Sequence, residues 1–174
     1  DYRLKVYPPE PNKLVDPVAK TQIFYQLRLD LLNGTLSCGA SSDASLLVAL
    51  FLQHNLGDYD PDKHIGHYVN EKFLMNQTFA VEAKAIEIHK LHLVGLTQEQ
   101  TEDLFLRMAC QLETYGVDPY LVEDENGVKL TLWINYKGLM TYHEAKKVHH
   151  LEWMNICKIL RDKNKLFIYL MSGM

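Results

Sequence analysis

The 174 residues suit one large domain or two small ones, and 47% apolar content is ordinary for a globular protein. The longest largely apolar run, Ala44–Leu52, is nine residues; a membrane span needs about 20, so this run reads as a buried helix. The formal charge of −4 hides a segregation, with eight acids against Arg107 in residues 97–125 and eight bases against three acids in residues 126–174. Such asymmetry points to an anionic partner for the basic part, a membrane surface or an acidic peptide. A solvated basic face is the plainer alternative. Cys38, Cys110 and Cys157 are an odd number without metal-like spacing, which predicts reduced thiols in an intracellular protein.

In chain order, residues 1–7 have no signal-peptide character and read as a strand cut from something longer. Residues 8–19 contain four prolines, which fix φ and remove donors, so an extended linker between two lobes is expected. A first helix is predicted over 20–33, with Phe24, Leu27 and Leu31 on one face and Asn33-Gly34 as its stop. Ser42-Asp43 should cap a second helix, 44–56, apolar nearly all round and therefore central. Asp58–Asp62 is a turn, and His64–Tyr68 a candidate for one helical turn. A third helix is expected at about 79–93. A fourth begins at Thr97, where Thr97-Gln-Glu-Gln100 fits a capping box. Its buried stripe is predicted at Leu104, Phe105, Met108, Ala109 and Leu112.

Leu112-Glu-Thr-Tyr-Gly-Val-Asp118 divides the chain. Before it apolar residues recur at helical spacing, and after it they alternate. Gly116 supplies the break, as a residue that takes the left-handed conformation freely. Val128, Leu130, Leu132 and Ile134 then define one strand face, with Asp124–Gly127 as a hairpin turn before it and Lys137-Gly138 after it. Further strands are expected at 139–142, 148–153, 156–160 and 166–171. About five short strands with tight turns suggest an antiparallel meander, incomplete as a β domain.

Taken in order, Tyr7-Pro-Pro, Gln26-Leu-Arg-Leu-Asp30, Leu56-Gly-Asp-Tyr-Asp60, Asn76-Gln77, Ile88-His-Lys90 and Leu112–Asp118 resemble the FERM domain, nearest the band 4.1-like adaptors. Asp124–Gly127, Gly138-Leu139, Trp153 and Ile156 continue the resemblance, which covers nearly the whole chain. Trp133-Ile134-Asn135 departs from it, standing where members often have a small residue and glycine. The resemblance implies a multi-lobe α+β fold. Residues 1–18 would end a ubiquitin-like lobe and its linker. Residues 19–115 would form a helical bundle like acyl-CoA-binding protein. Residues 116–174 would supply the first strands of a pleckstrin-homology/PTB-like antiparallel β sandwich.

The resemblance further implies a non-enzymatic adaptor without cofactor, peripheral at the inner face of the plasma membrane and associated with the cytoskeleton. It would link cytoplasmic tails of membrane proteins and anionic inner-leaflet lipid to cytoskeletal or scaffold proteins. The phosphoinositide site carried over from the family falls on Lys158, Arg161, Lys163 and Lys165. The alternative within the family is the targeting domain of a larger enzyme such as a FERM-containing tyrosine phosphatase.

Other chemistries are weaker. His64/His67 and His89/His92 are pairs at i, i+3, which on a helix could hold Zn²⁺, but no thiol joins them and there is no HExxH motif. His89 and His92 flank Lys90, as on a solvated face. Gly34–Gly39 lacks the Lys-Ser/Thr of a P-loop. The aromatics of the basic half alternate with aliphatics, as in a β core, and no RNP-type motif accompanies them, which argues against nucleic acid.

Overall fold

The structure, a computed structural model, describes residues 4, 6–144 and 146–171. Two compact units divide it, Asp1–Tyr115 and Gly116–Met174.

The first unit is built around α2, Ser41–Leu56, whose residues from Leu47 to His54 are all buried. A helix apolar on every side can only be satisfied by neighbours on every side. Helices α3, Phe79–His92, and α4, Gln98–Ala109, both pack on it, and α1, Pro17–Asn33, packs on α4. Their meeting point is aromatic. Phe24 of α1 and Phe51 of α2 each lie 4.9 Å, centroid to centroid, from Phe105 of α4, and Phe73 stacks on Phe51 at 5.1 Å. Arg28 covers this cluster at 5.5 Å from the Phe73 ring while pairing with Glu71.

Local chemistry moves several boundaries. Helix α1 starts at Pro17, since proline suits a first helical position and the Asp16 carboxylate accepts from the Val18 N–H. The stretch 8–19 is therefore not wholly extended; it also holds a 3₁₀ turn at Pro11–Lys13. The expected Ser42-Asp43 cap is absent: Ala40 is the N-cap of α2 and offers no side-chain bond. Thr97 and Gln100 form the predicted capping box. The buried stripe of α4, however, is rotated onto Thr101, Glu102, Phe105, Leu106 and Ala109, leaving Leu104 exposed. His64–Tyr68 forms no helical turn. Helix α4 ends at Ala109, with turns from there to Gly116, which does take a positive φ of 63°. The strand expected over residues 1–7 lies partly outside the described residues; Leu4, Val6 and Tyr7 are not in a strand.

Among the described residues the second unit holds six strands: β1 Asp118–Glu123, β2 Lys129–Asn135, β3 Gly138–His143, β4 Lys146–Glu152, β5 Ile156–Asp162 and β6 Lys165–Leu170. The first four form one antiparallel sheet in sequence order; β5 and β6 form a separate hairpin. Strand β1 answers the single-face alternation least, with Pro119 in it and nearly all residues exposed. Leu132, Leu139, Met140 and Tyr142 make the buried part. Trp133 stacks on Tyr142 at 4.0 Å, and the Asn135 carbonyl accepts from the Trp153 indole N–H. The unusual Trp133-Ile134-Asn135 thus serves local packing.

Candidate membrane and peptide interface

The four bases expected to meet lipid all lie exposed on the β5–β6 hairpin. Side chains alternate along a strand, and the register pairs Lys158 with Tyr169, Leu160 with Phe167, and Asp162 with Lys165. Lys158 and Lys165 therefore share a face. Arg161, paired with Leu166, points to the other. Lys163 sits in the two-residue connection at a left-handed φ of 53°. Its carbonyl accepts from Arg161 Nε at 3.0 Å, which ties the tip together. Arg161, Lys163 and Lys165 gather at the tip, whereas Lys158 lies further along β5, 5.9 Å from the Tyr169 ring. Three of the four cluster around the hairpin end and Lys158 stands apart, so they are not a one-sided patch.

The four-stranded sheet has two edges of opposite character. On β1, Pro119 removes a donor and Asp118 and Glu123 flank it, which discourages strand addition. On β4, Lys146, Lys147, His149 and His150 are exposed. A bulge between Thr141/Tyr142 and their β4 partners re-phases the strand. Lys147 consequently reaches over the Tyr142 ring at 5.7 Å, while His149 Nδ1 meets Thr141 Oγ1 at 3.0 Å on the opposite face. Lys147 and His149 thus lie on opposite faces of one edge. Without the bulge these two residues, two positions apart, would share a face.

Three of the stretches that carried the resemblance converge in the first unit. Tyr7 donates its hydroxyl to the Asp30 carboxylate, which also accepts from Gln26 Nε2 at 3.0 Å. Tyr115 packs edge-on to Tyr7 at 5.5 Å and donates to the Pro8 carbonyl at 2.8 Å. Asp30 and Tyr115 are both buried. Their chemistry pins the proline-rich segment to α1 and to the end of the helical unit.

The histidines do not assemble. His67 Nε2 pairs with Glu82 at 2.9 Å and its ring stacks on Phe79. His64 Nδ1 accepts from the Asp60 N–H at 2.9 Å. His92 is exposed, and His89, expected on a solvated face, is fully buried. Helical spacing puts His89 and His92 on neighbouring rows, and only His89 turns toward α2 and the 57–68 segment. Among the described residues no group of three His, Cys, Asp or Glu is placed to hold a metal. Burial pushes the Cys38 thiol up to about 11, with Asp43 adding to it, so it is a poor nucleophile. A buried pair was invisible in the sequence: His54 Nε2 meets Glu102 Oε1 at 3.0 Å, and Glu102 Oε2 accepts from Thr21 Oγ1 at 2.9 Å. No helix is long and apolar enough to cross a membrane, among the described residues.

The FERM central domain matches residues 9–120. Human band 4.1-like protein 3 is 35% identical over 173 residues, covering 99% of this chain and 16% of that protein. Protein 4.1 of Bos taurus is 34% identical over 173 residues, 99% of this chain and 28% of its own length. The chain therefore spans less than a third of either relative. The FERM and C-terminal domain complex of Drosophila Merlin has a TM-score of 0.82 at 21% identity, over 98% of this chain and 60% of that one. The MyTH4-FERM MF2 domain of Dictyostelium discoideum myosin VII has a TM-score of 0.78 at 18% identity, over 97% of this chain and 37% of that one. At those identities the structures speak for the fold alone. The FERM central domain match over residues 9–120, more than half of the chain, shows that it belongs to the FERM family.

Proposed function

We propose that this chain acts as a non-enzymatic adaptor at the inner face of the plasma membrane, linking membrane-protein tails and anionic lipid to the cortical cytoskeleton. Residues 1–18 serve as the end of a preceding lobe with its linker, 19–115 as the helical second lobe, and 116–174 as the start of the third. The observation that carries this reading is the exposed basic edge of β4, together with a hairpin tipped with Arg161, Lys163 and Lys165, in a chain of the FERM family. A strand edge recognises an extended tail through backbone hydrogen bonds, whatever its sequence, and cations around it select acidic tails. Two structural neighbours support protein docking: Merlin's FERM domain was solved with its C-terminal domain, and human myosin 7b's MyTH4-FERM domain with harmonin-a PDZ3.

A cation near an anionic leaflet contributes about 1 kcal/mol. Lys158 is set back from the three bases at the tip, so recruitment by lipid alone is weak and a protein partner makes it firm. The test is co-sedimentation with phosphatidylcholine vesicles, with and without phosphatidylinositol bisphosphate. Binding is expected only with the anionic lipid, falling as salt rises. It is expected to be lost in the Lys158/Arg161/Lys163/Lys165→Ala variant. Lys163→Gly is the more informative single change: it removes one tip charge at a φ that glycine adopts without strain. Binding by neither wild type nor the fourfold variant removes the lipid role and leaves a protein-only scaffold; equal binding by both to the anionic vesicles takes the site off these four residues.

A further inference from the structure

We propose that His89 is an acid-triggered latch that holds the segment Gly57–Tyr68 against α3. The imidazole is fully buried, and both ring nitrogens are bonded to that one segment. Nε2 lies 2.8 Å from the Gly57 carbonyl, and Nδ1 lies 2.7 Å from the Tyr68 hydroxyl. A carbonyl only accepts, so Nε2 carries the proton. Nδ1 is then the acceptor and Tyr68 the donor. One neutral ring thereby clamps the first and last residues of the segment, eleven positions apart in sequence.

A second proton disturbs this arrangement. It would arrive on Nδ1, and the Tyr68 hydroxyl would have to turn its own hydrogen away to accept it. It would also put a full charge where no water reaches. The surroundings agree. Burial is the largest influence holding His89 below the ordinary histidine range. The Gly57 bond opposes it. His64, whose ring lies 5.9 Å away, lowers it further; Asp58 raises it, and Lys90 of the same helix lowers it. Asp58 is itself engaged by Gln53 Nε2 and the Gly95 N–H. Tyr59 and Tyr68 also face the ring, and burial pushes Tyr68 up to about 12, so its hydroxyl keeps its proton throughout.

The sign follows from linkage. A histidine lowered in the fold binds fewer protons there than in the opened segment. The closed form is therefore favoured above the ordinary histidine value of about 6.5 and is lost as pH falls below it. Opening hydrates the imidazolium and releases Tyr59, His64 and Tyr68 from their cluster of tilted rings, in which His64 and Tyr68 lie 4.9 Å apart.

Amide hydrogen exchange on the whole chain at pH 7.5 and 5.5, expressed as protection factors, tests this. Protection of the Lys63 and His64 amides, both bonded to the Asp60 carbonyl, is expected to drop on the order of tenfold on acidification, while the centre of α2 holds. His89→Gln, whose amide can donate to Gly57 and accept from Tyr68 without titrating, is expected to keep its protection at both pH values. His64→Gln is expected to lose it as the wild type does. Unchanged wild-type protection, or an equal loss in His89→Gln, overturns the proposal. Should His89→Gln not fold, the ¹⁵N shifts of wild-type His89 decide: a proton on Nε2 alone at pH 7.5 is expected. A proton on Nδ1 alone at pH 7.5 refutes the latch.

Discussion

Buried polar side chains carry what hydropathy could not read. In α4 the apolar pattern of Leu104, Phe105, Met108 and Ala109 pointed one way, and the helix turned another because Thr101 and Glu102 are buried. Thr101 is satisfied by the Thr97 carbonyl at 2.8 Å, and Glu102 by His54 and Thr21. A side chain whose polar atoms are bonded can face a core, and sequence does not show which bonds will form. Glu102→Ala leaves His54 and Thr21 without their acceptor, and a loss of about 2–4 kcal/mol is expected in urea unfolding. The joint change His54→Leu/Glu102→Leu should lose less than the sum of its single changes. Additive losses in that double-mutant cycle would mean the two residues act separately.

Helices were more legible than strands. An apolar-all-round α2, a Gly34 stop at φ 77° and a Thr97 box follow from residue types within one turn of chain. The β4 edge depends on a bulge, which no local composition specifies, and the hairpin face of each base depends on register. Gly138 is the strand residue whose identity the geometry fixes. At φ 152° an added Cβ would lie 2.1 Å from the Leu151 carbonyl oxygen, in backbone that cannot yield cheaply. Gly138→Ala is expected to cost about 2–4 kcal/mol and to loosen the β3–β4 pairing. Chemical shifts of β4 amides matching wild type would contradict this.

For the molecule as a whole, the two units bury their apolar residues unequally. The first has a closed aromatic core at Phe24, Phe51 and Phe105. In the second, Ile159, Leu160, Phe167 and Tyr169 remain at least 40% exposed. A two-stranded hairpin is marginal by itself. The second unit is therefore expected to unfold at lower urea. Both tryptophans, Trp133 and Trp153, belong to it, while α-helix belongs to the first. Fluorescence should thus report a midpoint below that of helical circular dichroism at 222 nm. Coincident midpoints would show a single cooperative transition instead.

Tyr7, Asp30 and Tyr115 also separate two kinds of information in the chain. They spend their chemistry on one another, inside, and so speak of lineage and assembly while remaining silent on cargo. Lys147, His150 and the hairpin tip face solvent, where a side chain can be exchanged without unsettling a core. Two proteins sharing the inner vocabulary can therefore diverge completely in what they carry, and a change of clientele needs only a few surface letters rewritten.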